Sequence, residues 1–239
     1  MTTTELMISA LIVAAAVVAQ ASTGSGFGIF ASPLLLMISP DLVPGPLLVV
    51  TPVVMLLVTW QNRSGLRHLD LNTALAGCVP GAVAGLLVLP LLDAKWTGVI
   101  VGGLVVLSVL AGLAKFHVPQ NRFSLFTAGV LGGVLGMVAA TSGPPLVVVY
   151  RNLDPHRYRA NLSLFFLISS VVALVASIAV GSFGTSELVA SSWLLPGVVF
   201  GALASRPVVK RLSASAIRPA ALGLCLVAGV SLVIKGSLA

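Results

Sequence analysis

Ser22-Thr23-Gly24-Ser25-Gly26-Phe27-Gly28 interrupts an apolar run that otherwise extends from Leu6 to Ser39. A second interruption, Thr141-Ser142-Gly143-Pro144-Pro145, divides the apolar run from Phe123 to Tyr150. A bilayer core about 30 Å thick takes roughly 20 helical residues to cross. The first run is far too long for one span, and the breaks leave pieces of which most are too short to cross alone. Gly, Ser and Pro are what break a helix. Backbone that leaves the helix at membrane depth persists only where it is buried in protein or lines a wet cavity. Each broken run is therefore either one kinked helix that crosses, or a re-entrant hairpin of two half-helices that enters and leaves on one side.

Around these runs lie six segments of spanning length, about 45–61, 72–91, 97–114, 160–181, 187–204 and 216–235. Only 8% of the residues are charged, against about 25% in a soluble domain. A soluble chain could not cover its surface with so few charges, whereas a lipid-facing one has no need to. The chain is read as an all-α polytopic membrane protein, a single transmembrane domain over 1–239. The net charge of +7 sits in short loops between apolar runs, with no basic patch interleaved with aromatics. That excludes nucleic acid as a partner and leaves the positive-inside rule as the explanation. Cys78 and Cys225 both fall in apolar segments and form no disulfide framework. Met1 to Ser9 carries Glu5 and no Lys or Arg, so the start reads as mature protein rather than a cleavable signal. No cofactor and no metal are expected.

The charges choose between the two readings. If both broken runs cross, there are eight spans and the thirteen Lys and Arg divide eight to five between the faces. If both are re-entrant, one face holds Arg63, Arg67, Lys115, Arg122, Arg151, Arg157, Arg159, Arg206, Lys210, Arg211 and Arg218, and the other only Lys95 and Lys235. The second division is what positive-inside sorting produces. It places both termini outside, in a bacterial inner membrane, with the first hairpin dipping from outside and the second from the cytoplasm. Trp60, Tyr150 and Tyr158 then fall near the inner interface, and Trp96 and Trp193 near the outer one.

The halves repeat. Pro80-Gly81 with Gly85 matches Pro196-Gly197 with Gly201, and Pro33-Leu34 matches Pro145-Leu146. Repeat 1 covers about 1–115 and repeat 2 about 120–239, each a hairpin followed by three spans. An odd number of crossings per half makes the halves inverted repeats, a transporter plan. Gly77, Gly81 and Gly85, like Gly197 and Gly201, also form small-residue faces suited to close helix packing.

Inverted hairpins bring their tips together near the midplane. Each second leg begins at its tip, around Gly28 and Pro145, and a helix N-terminus offers free N–H groups and a partial positive charge. Two such ends on one cavity favour an anion. Pro suits the first helical turn. Ser22, Thr23, Ser25, Thr141 and Ser142 add hydroxyls, and Gly24, Gly26, Gly28 and Gly143 let backbone approach a ligand. The alternative is that these residues only kink packed helices. The six acids fall near segment ends and the three histidines in loops, so no mid-membrane proton- or sodium-coupling group is found. An anion leaving a negative interior gains about 2.3 kcal/mol per charge per 100 mV, which favours export.

Gly24-x-Gly26-x-Gly28 with Pro33-Leu34, Gly143-Pro144-Pro145, Arg159-Ala160 and the paired Pro-Gly-x-x-x-Gly together resemble the TauE/SafE sulfite exporter family, over nearly the whole chain. The resemblance implies transport of sulfite, organosulfonates or related small anions. It makes the tip residues, Pro144 and Asn161 candidate ligands and Arg159 a cytoplasmic entrance residue; Asn161 is equally a candidate packing hydrogen bond. Phe27 and Ser25 interrupt the glycine run at the first tip. Two other classes stand beside this reading: a membrane thiol–disulfide carrier using Cys78 and Cys225, and a non-transporting scaffold. A homo-oligomer is compatible with all three.

Overall fold

The computed structural model describes residues 3–24, 27–66, 68–113, 118–150, 152–211 and 214–238. These form ten helices in two sets of five. The first set is α1 (Thr3–Thr23), α2 (Phe27–Ile38), α3 (Gly45–Asn62), α4 (His68–Val88) and α5 (Ala94–Leu113). The second is α6 (Arg122–Ala139), α7 (Gly143–Val149), α8 (Pro155–Ala179), α9 (Thr185–Arg211) and α10 (Ala214–Leu238). No strand occurs among the described residues. Local chemistry sets several boundaries. The Asp154 carboxylate accepts from the N–H groups of His156 and Arg157 and caps α8, with Pro155 in the first turn. The Asn121 side chain caps α6 by accepting from Ser124 N–H.

Both broken runs do break, but their legs are unequal. α1 and α6, the first legs, have 21 and 18 residues and are long enough to cross. α2 has 12 and α7 has 7. The expectation of two half-helices therefore holds for the second legs only. The reason is where the chain reverses: a left-handed residue ends each long leg, Gly24 at φ +81° and Ala140 at φ +50°.

The packing of the two sets corresponds. α4 lies along α6, and α1 along α9; α5 lies on α10, and α3 on α8. Exchanging the first five helices for the second five maps the first two pairings onto each other and the last two onto themselves. Matching glycines make the contacts close. A Cβ on Gly85 of α4 would stand 2.9 Å from Val134 O of α6, and one on Gly201 of α9 would stand 2.7 Å from Ala14 O of α1. Gly77, Gly81 and Gly197 likewise lie against backbone carbonyls of the facing helix, as the small-residue faces lead one to expect.

Two loop contacts fix which helix ends share a face. Ser64, just after α3, lies 3.3 Å from His156 at the start of α8. At the other end, Gly45 at the start of α3 packs on Glu187 at the start of α9. A cleft of about 360 Å³ also gathers Pro40, Val43, Pro44, Leu89, Pro90, Leu92, Thr97 and Ser182. Eight crossings would put the members of both pairs on opposite faces. Trp60, Trp96 and Trp193 are 65%, 53% and 53% exposed on the surface of the bundle. Tyr150 is not a belt residue: it is fully buried where the short α7 ends inside the bundle.

Candidate functional site

The first break is held by a buried amide. Gln20 is wholly buried in the last turn of α1. Its Nε2 donates to Gly24 O at 2.9 Å, and its Oε1 accepts from Phe27 N–H at 2.9 Å. The side chain thus satisfies both ends of the interruption. Ser22 and Thr23 hydroxyls donate back to Val18 O and Ala19 O, each at 2.8 Å, the usual retreat of such residues inside a helix. Gly24 is required twice. Its φ is left-handed, and a Cβ would come 2.6 Å from Arg159 Cγ and 3.2 Å from Arg159 Cα. Ser25 and Gly26 lie outside the described residues.

The second break is held by backbone and hydroxyls. Ala140 adopts the left-handed conformation of a C-cap, and its N–H and that of Thr141 both donate to Leu135 O. Ser142 is buried and accepts from Ser169 Oγ at 3.0 Å. Gly143 opens α7 with Pro144 and Pro145 behind it, and a Cβ there would meet the rim of Phe166 at 3.0 Å.

The breaks meet, though not tip to tip. Gly24 packs on Arg159, and Ser142 bonds Ser169. Those two α8 residues stand about 15 Å apart at 1.5 Å per residue. The tips pass each other, and the contact is between the start of α2 and the second break. Gly28 packs on Thr141. Ser32 donates to Ala139 O at 2.6 Å, and its hydroxyl lies 3.1 Å from that of Thr141. A cavity of about 20 Å³ opens at this crossing. Its walls are Gly28 and Ile29 from α2, Leu48, Thr51 and Met55 from α3, Gly136 with residues 140–143, and Phe166 and Ser170 from α8. Among the described residues no ionisable side chain lines it. That volume holds about one water molecule.

Of the candidate residues, Gly28, Thr141, Ser142 and Gly143 come together at the cavity. Ser22, Thr23, Gly24, Pro144 and Asn161 do not line it, and Arg159 stands at the first tip. Asn161 is buried on α8. Sequence reasoning missed Gln20, Ser32, Thr51, Ser169 and Ser170. Their signal was present: each is a polar residue within an apolar helix, and in lipid such a group must face the protein interior and find a partner.

The family described as sulfite exporter TauE/SafE matches residues 8–232. The chain belongs to that family. A relative in Cupriavidus necator, named "Probable sulfite/organosulfonate exporter TauE", is 29% identical over 231 residues, covering 90% of this chain and 88% of the relative. No solved structure matches the chain. Family membership does not favour the thiol carrier. Cys78 is buried on α4, whose main partners are α6 and α8, whereas α10, which carries Cys225, packs chiefly on α5 and α2. The side chain of Cys225 is outside the described residues.

Proposed function

We propose that the chain exports sulfite or small organosulfonates across the plasma membrane, binding the anion where the start of α2 crosses the second break. The observation that carries this is the meeting of Gly28 and Ile29 with Thr141, Ser142 and Gly143 at one cavity. Residues of two interruptions more than a hundred positions apart line one place, and their N–H and O–H groups are the donors proposed to hold the anion. Such donors suit sulfur oxygens, and no carboxylate among the described residues lines the cavity to repel them. The glycines let backbone N–H groups reach the ligand. Arg159 at the first tip offers a guanidinium to anions approaching from the cytoplasmic side, and an always-charged guanidinium matches oxyanions well. Ser25, Gly26 and Asn161 remain in the proposed site set through the family resemblance.

The cavity is too small for a four-heavy-atom oxyanion, so binding requires its walls to part. Two inverted halves, each a hairpin and three spans, would let one half rock against the other about the crossing. The exchange of packing partners between the halves supports this plan, as do the Ser64–His156 and Gly45–Glu187 contacts. With both hairpins re-entrant, the termini and Asp41 lie outside and Asp154 lies inside. Single cysteines at Asp41 and Asp154, in a chain lacking Cys78 and Cys225, should label from outside at the first site only. Equal labelling in intact cells rejects the hairpins.

The function itself is tested by flux of labelled sulfite and sulfonates in liposomes. Flux should respond to voltage and not to an imposed pH gradient when the substrate stays ionised. Ser142→Asp should abolish it and Ser142→Asn, nearly isosteric and neutral, should retain a measurable part. Equal activity of the two variants removes the second break from the binding site.

A further inference from the structure

We propose that Gln20 is the positioning residue of the transport site: its amide sets where the first turn of α2 stands over the cavity. The inference rests on the transport reading above. Three contacts carry it. The Gln20 amide bonds Gly24 O on one side of the first break and Phe27 N–H on the other, at 2.9 Å each. Its Nε2 also lies 3.7 Å from Met55 Sδ on α3. Gly24 O can only accept and Phe27 N–H can only donate, so the amide has a single productive orientation.

Position follows from connectivity. Phe27 directly precedes Gly28, and Gly28, Ile29 and Met55 are walls of the cavity. Gln20, on α1, therefore holds the residue next to the cavity wall and touches Met55 of its α3 wall, without lining the cavity itself. A buried amide in a membrane bundle is costly unless every polar group is satisfied. Here one side chain ties the C-terminal carbonyl of a long leg to the N-terminal N–H of a short one. At the second break the cap is backbone: Ala140 and Thr141 N–H donate to Leu135 O. The first break therefore carries a side-chain bridge in addition to the backbone bond from Gly24 N–H to Gln20 O.

A clamp that merely stabilises the fold and one that positions the site differ in what they move. Gln20→Met conserves size and removes both hydrogen bonds. In the full-length protein in liposomes it should raise the half-saturating concentration of an alkylsulfonate about tenfold, the equivalent of one lost hydrogen bond, with maximal flux changed much less. Hydrogen exchange at the Phe27 amide should accelerate in the same variant. Gly201→Ala, which presses on Ala14 of α1 away from the break, is the control: it should lower stability and leave half-saturation unchanged. If Gln20→Met behaves like Gly201→Ala in stability and in half-saturation, Gln20 only stabilises and the proposal is overturned. Should Gln20→Met not be recovered folded, Gln20→Leu removes the same two hydrogen bonds with a different apolar shape; unchanged half-saturation there overturns the proposal equally. If the native protein carries neither sulfite nor sulfonate, the transport reading fails. The exchange measurement still decides on Gln20, since equal Phe27 exchange in native and Gln20→Met protein rejects the clamp.

Discussion

The two breaks reverse the chain at comparable places in the two halves, yet they are built from different chemistry. The first uses a glycine at φ +81° with a buried glutamine bridging the gap. The second uses an alanine at φ +50°, a backbone cap and a serine pair. The difference follows from what each tip touches. Gly24 faces the stem and backbone of Arg159, so no side chain fits. Ala140 packs beside the small cavity and is 6% exposed, so a methyl group is accommodated. A similar reversal can thus arise without a shared motif, provided that orphaned helix-end groups find partners.

Substitutions that exploit this contrast should separate the tips. The largest effect is expected for Gly24→Val. A non-glycine residue in the left-handed region costs about 1–2 kcal/mol, a β-branched one suffers more, and here the clash with Arg159 adds to it. Flux should be lost, and thermal unfolding in detergent should show lowered stability. Gly143→Val should follow. The nearest atoms to its first added carbon belong to the Phe166 rim, at 3.0 Å, so folding should persist while flux falls severely, because the branched group projects at the cavity wall. Liposome flux beside a melting curve distinguishes these two. Smallest is Ala140→Gly, which removes a methyl group and relieves a left-handed alanine: stability should change by no more than about 1 kcal/mol, and flux should stay near native. A severe loss in Ala140→Gly would show that the second tip depends on side-chain packing as the first does, and would erase the contrast.

Gly85 sharpens the point from elsewhere in the bundle. Its neighbours are Met137 Cβ and Val134 backbone of α6, within 2.9 Å of an added Cβ. Backbone cannot yield as an aromatic rim can, so the packing glycine is the more constrained by its neighbours and Gly143 the more exposed to function.

Much was legible in the residues themselves. Apolar length located the segments that become α3, α4, α5, α8, α9 and α10, because a bilayer demands long apolar helices and nothing shorter crosses it. Glycine, serine and proline clusters located both breaks, because several such residues in a row disfavour the helix, although Gly and Pro persist inside α4 and α9. Family membership was legible from the order and spacing of the same motifs. What only the tertiary structure decided is how the breaks meet. Leg lengths depend on which residue takes the left-handed turn, and Gly24, Ser25, Gly26 and Gly28 offered several choices. The offset of the tips along α8, the pairing of Ser32 with Ala139 and Thr141, and the bridge from Gln20 to Phe27 are contacts between residues that local pattern cannot associate. Such contacts arise only once neighbouring helices exclude lipid and leave each buried polar group to find a partner in space.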